Sequence, residues 1–132
     1  MTSRFLDTLS GTINTPPPVW LMRQAGRYMS EYRALRASEP DFISFCLNST
    51  KASEVTMQPI KRFGFDAAII FSDILLVPWA LDRNVRFVPG TGPLLDPLQA
   101  VSDINVALLD QMPNRLAPVG QAIQMTRAQL PK

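Results

Sequence analysis

Two apolar runs stand out in the hydrophobic pattern of the chain, and each ends at a charged side chain. Residues 19–22 are apolar and stop at Arg23, and residues 66–73 hold a central apolar run that stops at Asp73. Because neither run alternates between polar and apolar positions, both predict strands that are covered on two faces, as in parallel α/β sheets.

Apolar positions three and four residues apart predict the helices around these strands. The predicted helices span residues 28–37, 41–47, 49–63, 102–111 and 114–130, and residues 3–10 predict a turn or a short helix. Asp41 is the expected N-cap of the helix over residues 41–47, and Gly64 is the expected C-cap of the helix over residues 49–63. Pro59 should kink the helix over residues 49–63, since a proline cannot donate to the carbonyl of Val55. In the last two helices the residues expected to face inward are Ile104, Leu108, Leu116, Val119, Ile123 and Leu130.

Residues 84–88 alternate between polar and apolar side chains and predict a short, exposed strand. The following residues, 89–93, form a predicted turn rich in proline and glycine. They lack the spacing and the following lysine of a phosphate-binding loop, so we interpret this turn as structural.

The order strand, helix, strand in residues 19–73 predicts a βαβ unit with parallel strands. Ligands of barrels and open sheets of this kind bind at the carboxyl ends of the strands. We therefore expect Arg23, Arg27 and Asp73 to face one cleft. Arginine suits carboxylate ligands, because its planar group donates two parallel hydrogen bonds and stays charged at any working pH.

The spacing of these cations also fits an ordinary solvated helix surface. Arg27 lies four residues before Glu31, and Arg36 lies close to Glu39, so the arginines could pair with these carboxylates instead of a ligand. The spacing alone does not separate the two interpretations.

Composition is typical of a globular protein with one domain. The 132 residues are 46% hydrophobic, enough for one core. No apolar run approaches the roughly 20 residues that span a bilayer, and the first residues lack the features of a secretory signal. Cys46 is the single cysteine and cannot form an internal disulfide, which favours a cytoplasmic location and a buried, unreactive thiol.

Charge and the missing histidine narrow the chemistry further. The net charge is +2 and the basic residues are dispersed, so nucleic-acid binding is weakly supported. Without histidine the chain has no histidine general base, no Ser-His-Asp or Cys-His nucleophile and no histidine-ligated metal. Carboxylates, arginines, lysines and tyrosines remain as the groups available for chemistry.

Three stretches resemble the uroporphyrinogen decarboxylase family, in the order and spacing of that family. They are residues 18–28 (PVWLMRQAGRY), 54–60 (EVTMQPI) and 63–75 (FGFDAAIIFSDIL). The resemblance covers essentially the whole chain and corresponds to about the first third of a family member. It implies an α/β fold, namely the N-terminal part of a (β/α)8 TIM barrel that is incomplete in this chain, with residues 1–132 as a segment of that single domain.

The resemblance also implies an activity. Family members convert uroporphyrinogen III to coproporphyrinogen III by removing carbon dioxide from four acetate side chains, a step of haem biosynthesis. They use no metal and no organic cofactor, and they are usually homodimers. The implied partner is the porphyrinogen substrate, with no nucleic acid and no membrane.

Site residues follow from the same resemblance, position by position. Arg23, Arg27 and Arg36 match arginines that hold substrate carboxylates, and Ala25 matches a backbone contact in the same loop. Asp73 matches the aspartate that accepts hydrogen bonds from the pyrrole N–H groups and stabilises the protonated pyrrole. Arg23 also matches a candidate proton donor. The implied catalytic residues are therefore Asp73 and Arg23.

Two features depart from the family pattern. Trp79 and residues 82–84 stand where family members more often have an aspartate and a glycine-rich turn, which bears on the loop after Asp73. A barrel of this kind also needs about 250 residues. We therefore expect the isolated chain of 132 residues to show little or no turnover.

Two other functions fit parts of the pattern. A non-catalytic remnant would keep tetrapyrrole or polyanion binding without decarboxylation. A corrinoid-dependent methyltransferase would share the barrel, but those proteins depend on zinc ligands later in the chain and lack residues 22–28 in this form.

Overall fold

A computed structural model describes residues 3–88 and 90–130. The helices in this part are α1 (Arg4–Leu9), α2 (Ser30–Ala37), α3 (Phe42–Leu47), α4 (Ser49–Phe63), α5 (Leu76–Ala80), α6 (Met112–Arg115) and α7 (Ala117–Gln129). The strands are β1 (Arg86–Val88) and β2 (Gly92–Leu94), and two 3-10 turns span Val101–Asp103 and Val106–Leu108. The described part is thus a mixed α/β structure, and none of its helices is long and apolar enough to cross a membrane.

Helix α4 is the centre of the molecule, and its predicted bounds are confirmed. The side chain of Asn48 accepts a hydrogen bond from the backbone N–H of Lys51, which satisfies one free donor of the first turn. At the other end Gly64 adopts a left-handed conformation and its N–H donates to the carbonyl of Ile60. Helices α2 and α3 pack against α4, and so does α7.

The apolar core lies between α2, α3 and α4. It consists of Met29, Tyr32, Phe45 and Val55. Phe71 packs against this cluster, with its ring centroid 5.0 Å from Phe45 and 5.7 Å from Tyr32. Phe71 therefore fixes the segment before Asp73 onto the helices.

The two predicted strands in residues 19–22 and 66–73 are wrong, and so is the βαβ unit built on them. Neither segment forms a strand, and a single backbone hydrogen bond, from the N–H of Asp66 to the carbonyl of Val19, joins them within the described chain. Residues 19–22 are also exposed, up to 78% at Met22, instead of covered on both faces. A buried parallel strand needs hydrogen-bonded neighbours and a layer on each face, and the described helices supply one layer.

The predicted helix over residues 102–111 is also wrong. Its first part forms two 3-10 turns, because polar side chains bind the backbone locally. The carboxylate of Asp103 accepts from the N–H groups of Gln99 and Ala100, and the side chain of Asn105 accepts from Ala107. Leu108 is buried as expected, and Ile104 is partly buried.

The predicted helix over residues 114–130 is observed as two helices, α6 and α7. The break lies at Leu116, because Pro118 has no N–H to continue the helical hydrogen bonds. The inward face differs as well: Ala122 and Thr126 are buried against α4, whereas Ile123 is exposed. Leu116, Val119 and Leu130 are partly buried.

Most of the other predicted elements are confirmed. Helices α1, α2 and α3 fall within the predicted ranges, with the side chain of Asp41 accepting from Ser44 as an N-cap. Pro59 lies inside α4 as expected. The predicted strand over residues 84–88 is β1, which pairs antiparallel with β2. In the predicted turn, Pro89 lies outside the described residues, and the last two positions belong to β2.

Candidate functional site

A cleft of about 1080 Å³ lies beside the core, and all five site residues predicted from the sequence border it. These are Arg23, Ala25, Arg27, Arg36 and Asp73. The extended segment 69–74 forms one wall, and the β1–β2 hairpin forms another, with Phe87, Thr91 and Gly92 on the cleft. The cleft is at the upper end of the range typical of ligand pockets, so it can hold a large ligand.

Gln24 holds the loop that carries Arg23 and Arg27 in place. The side chain of Gln24 is buried, and its amide nitrogen donates to the carbonyl of Ala67 over 2.9 Å. The hydroxyl of Tyr28 donates in turn to the backbone carbonyl of Gln24. These contacts hold the buried side chain of Gln24 in place, and Gln24 and its two neighbours all border the cleft.

Arg23 and Arg27 are exposed, and within residues 3–88 and 90–130 their guanidinium groups make no hydrogen bond or ion pair. The alternative in which they pair with acidic neighbours is wrong. Glu31 instead binds Arg62 over 3.0 Å, and Glu39 binds Lys51 over 2.8 Å. The two guanidinium groups therefore keep their full donor capacity for an anionic ligand.

Arg36 is held differently from the other two arginines. Its guanidinium donates to the backbone carbonyl of Glu39 over 3.0 Å and lies 5.9 Å from the ring centroid of Phe45. This contact fixes the direction of the side chain and uses one of its five donors. The remaining donors are available to the cleft.

Asp73 follows the extended segment and begins the turn into α5. One carboxylate oxygen, Oδ1, accepts from the N–H of Leu75 over 2.8 Å, and the backbone carbonyl accepts from Leu76. The other oxygen, Oδ2, accepts no hydrogen bond from the described residues. Asp73 therefore offers one fixed carboxylate oxygen to a hydrogen-bond donor in the cleft.

The thiol of Cys46 is close to this carboxylate but is not a nucleophile. Burial raises the pKa of Cys46 to about 12, and the negative charge of Asp73 acts in the same direction. At neutral pH the group is a protonated thiol with no nucleophilic character. The prediction that Cys46 is a small buried apolar residue is confirmed.

Three features of the site were missed in the sequence. Two of them are Gln24 and Thr56, which bind the backbone of residues 66–73 from distant positions. The amide of Gln24 donates to the carbonyl of Ala67, and the hydroxyl of Thr56 accepts from the N–H of Phe71 over 2.8 Å. A polar residue inside the buried stripe of α4 was the available signal for Thr56. The hairpin was interpreted only as structural, although Phe87 packs on Phe42 with centroids 4.8 Å apart and borders the cleft.

The unusual loop after Asp73 lies away from the cleft. Arg115 forms an ion pair of 2.5 Å with Asp82 and lies over the ring of Trp79, at 5.1 Å from its centroid. The guanidinium of Arg83 donates to three backbone carbonyls, those of Asp96, Pro97 and Asp103. The residues that depart from the family pattern, Trp79 and residues 82–84, therefore contact neighbouring loops and helices and do not border the cleft.

The described ranges contain no cluster of three or more histidine, cysteine, aspartate or glutamate side chains that could hold a metal ion. The cleft offers three guanidinium groups and the carboxylate of Asp73, whose Oδ2 accepts no hydrogen bond from the described residues. In a mixed α/β protein this arrangement can bind a ligand that carries several carboxylates together with a hydrogen-bond donor.

Comparison with known proteins agrees with that class of ligand. The family model for uroporphyrinogen decarboxylase (URO-D) matches residues 1–132, so the chain belongs to this family. A uroporphyrinogen decarboxylase of Chelativorans sp. (strain BNC1) is 50% identical over 127 residues, which cover 96% of this chain and 37% of the relative.

Two further relatives are equally similar. The uroporphyrinogen decarboxylase of Agrobacterium fabrum is 49% identical over 128 residues, covering 97% of this chain and 37% of the relative. That of Maricaulis maris is 51% identical over 126 residues, covering 96% and 36%. The chain therefore spans little more than a third of the length of these relatives.

Proposed function

We propose that this chain forms the arginine-bearing part of a uroporphyrinogen decarboxylase active site. The reaction removes carbon dioxide from the four acetate side chains of uroporphyrinogen III and gives coproporphyrinogen III. The observation that carries this proposal is the cleft in which Arg23 and Arg27, whose guanidinium groups have no partner among the described residues, share a surface with Asp73. Family membership over residues 1–132 supplies the substrate class.

In this proposal the arginines bind the carboxylates of the substrate. Arg23 and Arg27 act through a loop whose backbone at Ala25 also borders the cleft, and Arg36 adds a third, pre-oriented cation. A bidentate contact between a guanidinium and a carboxylate gives both affinity and direction. A substrate with eight carboxylates gains from several such contacts at once.

Asp73 is the proposed catalytic group. Loss of carbon dioxide from an acetate on a pyrrole requires a proton on the ring, since the cationic pyrrole accepts the electron pair of the breaking bond. A carboxylate fixed by the N–H of Leu75 can stabilise that cation through charge-assisted hydrogen bonds to the pyrrole N–H groups. Arg23 is also the proton donor that the family resemblance implies; its guanidinium stays protonated at any working pH, which favours its carboxylate-binding role.

The remaining expectations belong to the same proposal. The fold would be a (β/α)8 barrel, in which segments 19–22 and 66–73 gain hydrogen-bonded neighbours and become strands. The protein would be a cytoplasmic homodimer without a metal or an organic cofactor. For a polypeptide of these 132 residues we expect binding without turnover.

The proposal is tested by replacing the matching segment of the Chelativorans relative with residues 1–132 of this chain. We expect the chimera to form coproporphyrinogen III, and Asp73→Asn to lower its kcat by about 100-fold or more, as for other electrostatic groups that stabilise a transition state. Asp110→Asn, an exposed position outside the cleft, is the matched control and should leave kcat unchanged.

The outcomes separate the two functions that the site allows. A folded chimera that binds porphyrin carboxylates without decarboxylating them would support a non-catalytic remnant. An Asp73→Asn chimera with the kcat of the parent chimera would remove Asp73 from the mechanism.

A further inference from the structure

Gln24 is a polar side chain in an unusual place, fully buried between two residues that border the cleft. Its exposed fraction is 1%, whereas the flanking Arg23 is exposed. Burying a primary amide is unfavourable unless its hydrogen bonds are replaced. The contacts of this amide therefore indicate what it does.

The amide of Gln24 joins two segments that are far apart in sequence. Its oxygen accepts from the N–H of Leu21 over 3.2 Å, and its nitrogen donates to the carbonyl of Ala67 over 2.9 Å. Leu21 belongs to the segment that leads into Arg23, and Ala67 belongs to the segment that leads into Asp73. The side chain of Gln24 thus connects the segment that precedes Arg23 with the segment that precedes Asp73.

Within the described chain, Gln24 is the only side chain that joins these two segments by a hydrogen bond near the cleft. Among the described residues, the contact between Gln24 and Ala67 is the one hydrogen bond that joins residues 20–28 to residues 67–75. The other connection between the two segments lies at their beginnings, where Asp66 binds the backbone of Val19. Because no strand ladder holds the segments in register, their separation near the cleft depends on Gln24.

We propose that Gln24 is a positioning residue that sets the separation between Arg23 and Asp73. This inference rests on the proposed function, because it assumes a ligand that contacts both groups together. Gln24 also borders the cleft, but its amide oxygen and one amide hydrogen are bound to protein, so the role that its contacts support is to hold the two segments together. The distance that it sets selects ligands whose carboxylate and N–H donor have a matching spacing.

The first test does not need a ligand. Hydrogen exchange measured by NMR on the 132-residue chain reports the N–H of Leu21 directly. In Gln24→Leu we expect the exchange of Leu21 to rise about tenfold or more, while the N–H of Phe71, which is bound to Thr56, keeps its protection. Unchanged exchange at Leu21 would overturn the inference.

The second test compares two probes in the same variants. Uroporphyrin offers carboxylates and pyrrole N–H groups together, whereas citrate offers carboxylates without pyrrole N–H groups. We expect Gln24→Leu to weaken uroporphyrin about tenfold, the loss typical of one buried hydrogen bond, and to leave citrate affinity within about twofold. General destabilisation would move both affinities together, and that result would contradict a positioning role.

Gln24→Glu and Thr126→Val complete the design. Gln24→Glu keeps an acceptor for Leu21 but loses the donor to Ala67, so it should weaken uroporphyrin as Gln24→Leu does. Thr126→Val removes a buried hydrogen bond to Ser53 between α4 and α7 and should leave both affinities unchanged. If the wild-type chain binds no uroporphyrin, the proposed function fails, and exchange at Leu21 still decides whether the amide of Gln24 holds the segment that leads into Arg23.

Discussion

At the scale of single residues, Arg23 and Arg27 can bind a ligand because the nearby acidic side chains form ion pairs with other residues. Glu31 and Glu39 lie close to Arg27 and Arg36 in sequence, yet they bind Arg62 and Lys51. A backbone hydrogen bond and then the hydrogen bond from Arg62 hold the pKa of Glu31 below its ordinary 4.5, and the hydrogen bond from Lys51 does the same for Glu39. Arg23 and Arg27 are left to the cleft.

The two kinds of arginine should respond differently to removal. Arg36 contacts the carbonyl of Glu39 and the ring of Phe45, so Arg36→Ala should lower the free energy of unfolding by about 1 kcal/mol. Arg23→Ala removes no such contact and should stay within about 0.5 kcal/mol of the wild type. Urea denaturation of both variants measures the difference, and equal losses would contradict the distinction.

The cations and the carboxylate of the site could be predicted from the sequence, but the residues that hold them could not. Arg23 and Asp73 are marked by the charged ends of apolar runs, a local signal. Gln24 binds a carbonyl 43 positions away, and Thr56 binds an N–H 15 positions away. No local spacing encodes such partners.

At the scale of elements, local chemistry decides which predictions hold. Helix α4 begins and ends as predicted because Asn48 and Gly64 supply both caps within the sequence itself. The extended segments failed as strands because strand formation depends on neighbours that a local pattern does not specify. The failed helix near residue 103 had a local signal, namely Asp103 and Asn105, whose side chains bind backbone N–H groups.

The two glycines of α4 and α7 should respond to alanine with opposite signs. Gly64 has a φ of 67° and no atom within 4 Å of an added Cβ, so Gly64→Ala should cost about 1 kcal/mol through backbone conformation alone. Gly120 lies inside α7 with equally open surroundings, so Gly120→Ala should stabilise by about 0.5–1 kcal/mol. Thermal unfolding of both variants is the measurement, and a shift of the same sign in both would contradict the cap.

The junction between α1 and the two extended segments should depend on pH. The N–H of Val19, 2.7 Å away, and the guanidinium of Arg4 lower the pKa of Asp66 below its ordinary 3.8. The unfolded chain therefore takes up this proton first as the pH falls, so the stabilisation by Asp66 is complete above about pH 5 and is lost below about pH 4.

Asp66→Asn isolates this effect. The difference in melting temperature between the wild type and the variant should be largest near neutral pH and should shrink as the pH falls through the native pKa. A difference that stays constant from about pH 6 to about pH 3 would show that Asp66 does not titrate with folding.

At the scale of the whole molecule, one side of the cleft rests on a buried core and the other side includes exposed apolar residues. Its helical side is fixed by α4 and the aromatic core, whereas residues 19–22 stay exposed and carry four large apolar side chains. Exposed apolar surface of this kind favours association with another surface. The matched relatives are more than twice as long as this chain, since it covers 37% of the first two.

The central claim is that the cleft binds a polycarboxylate porphyrin through Arg23 and Arg27, which have no partner within the described residues. The most direct measurement is a fluorescence titration of the chain with uroporphyrin, in parallel for Arg23→Ala and for Arg127→Ala, which removes the same charge from the exposed part of α7. We predict that Arg23→Ala weakens binding about tenfold or more, as expected for a charge-assisted contact, and that Arg127→Ala changes it less than about twofold. Equal affinities for the wild type and both variants would contradict the claim that this cleft is the binding site.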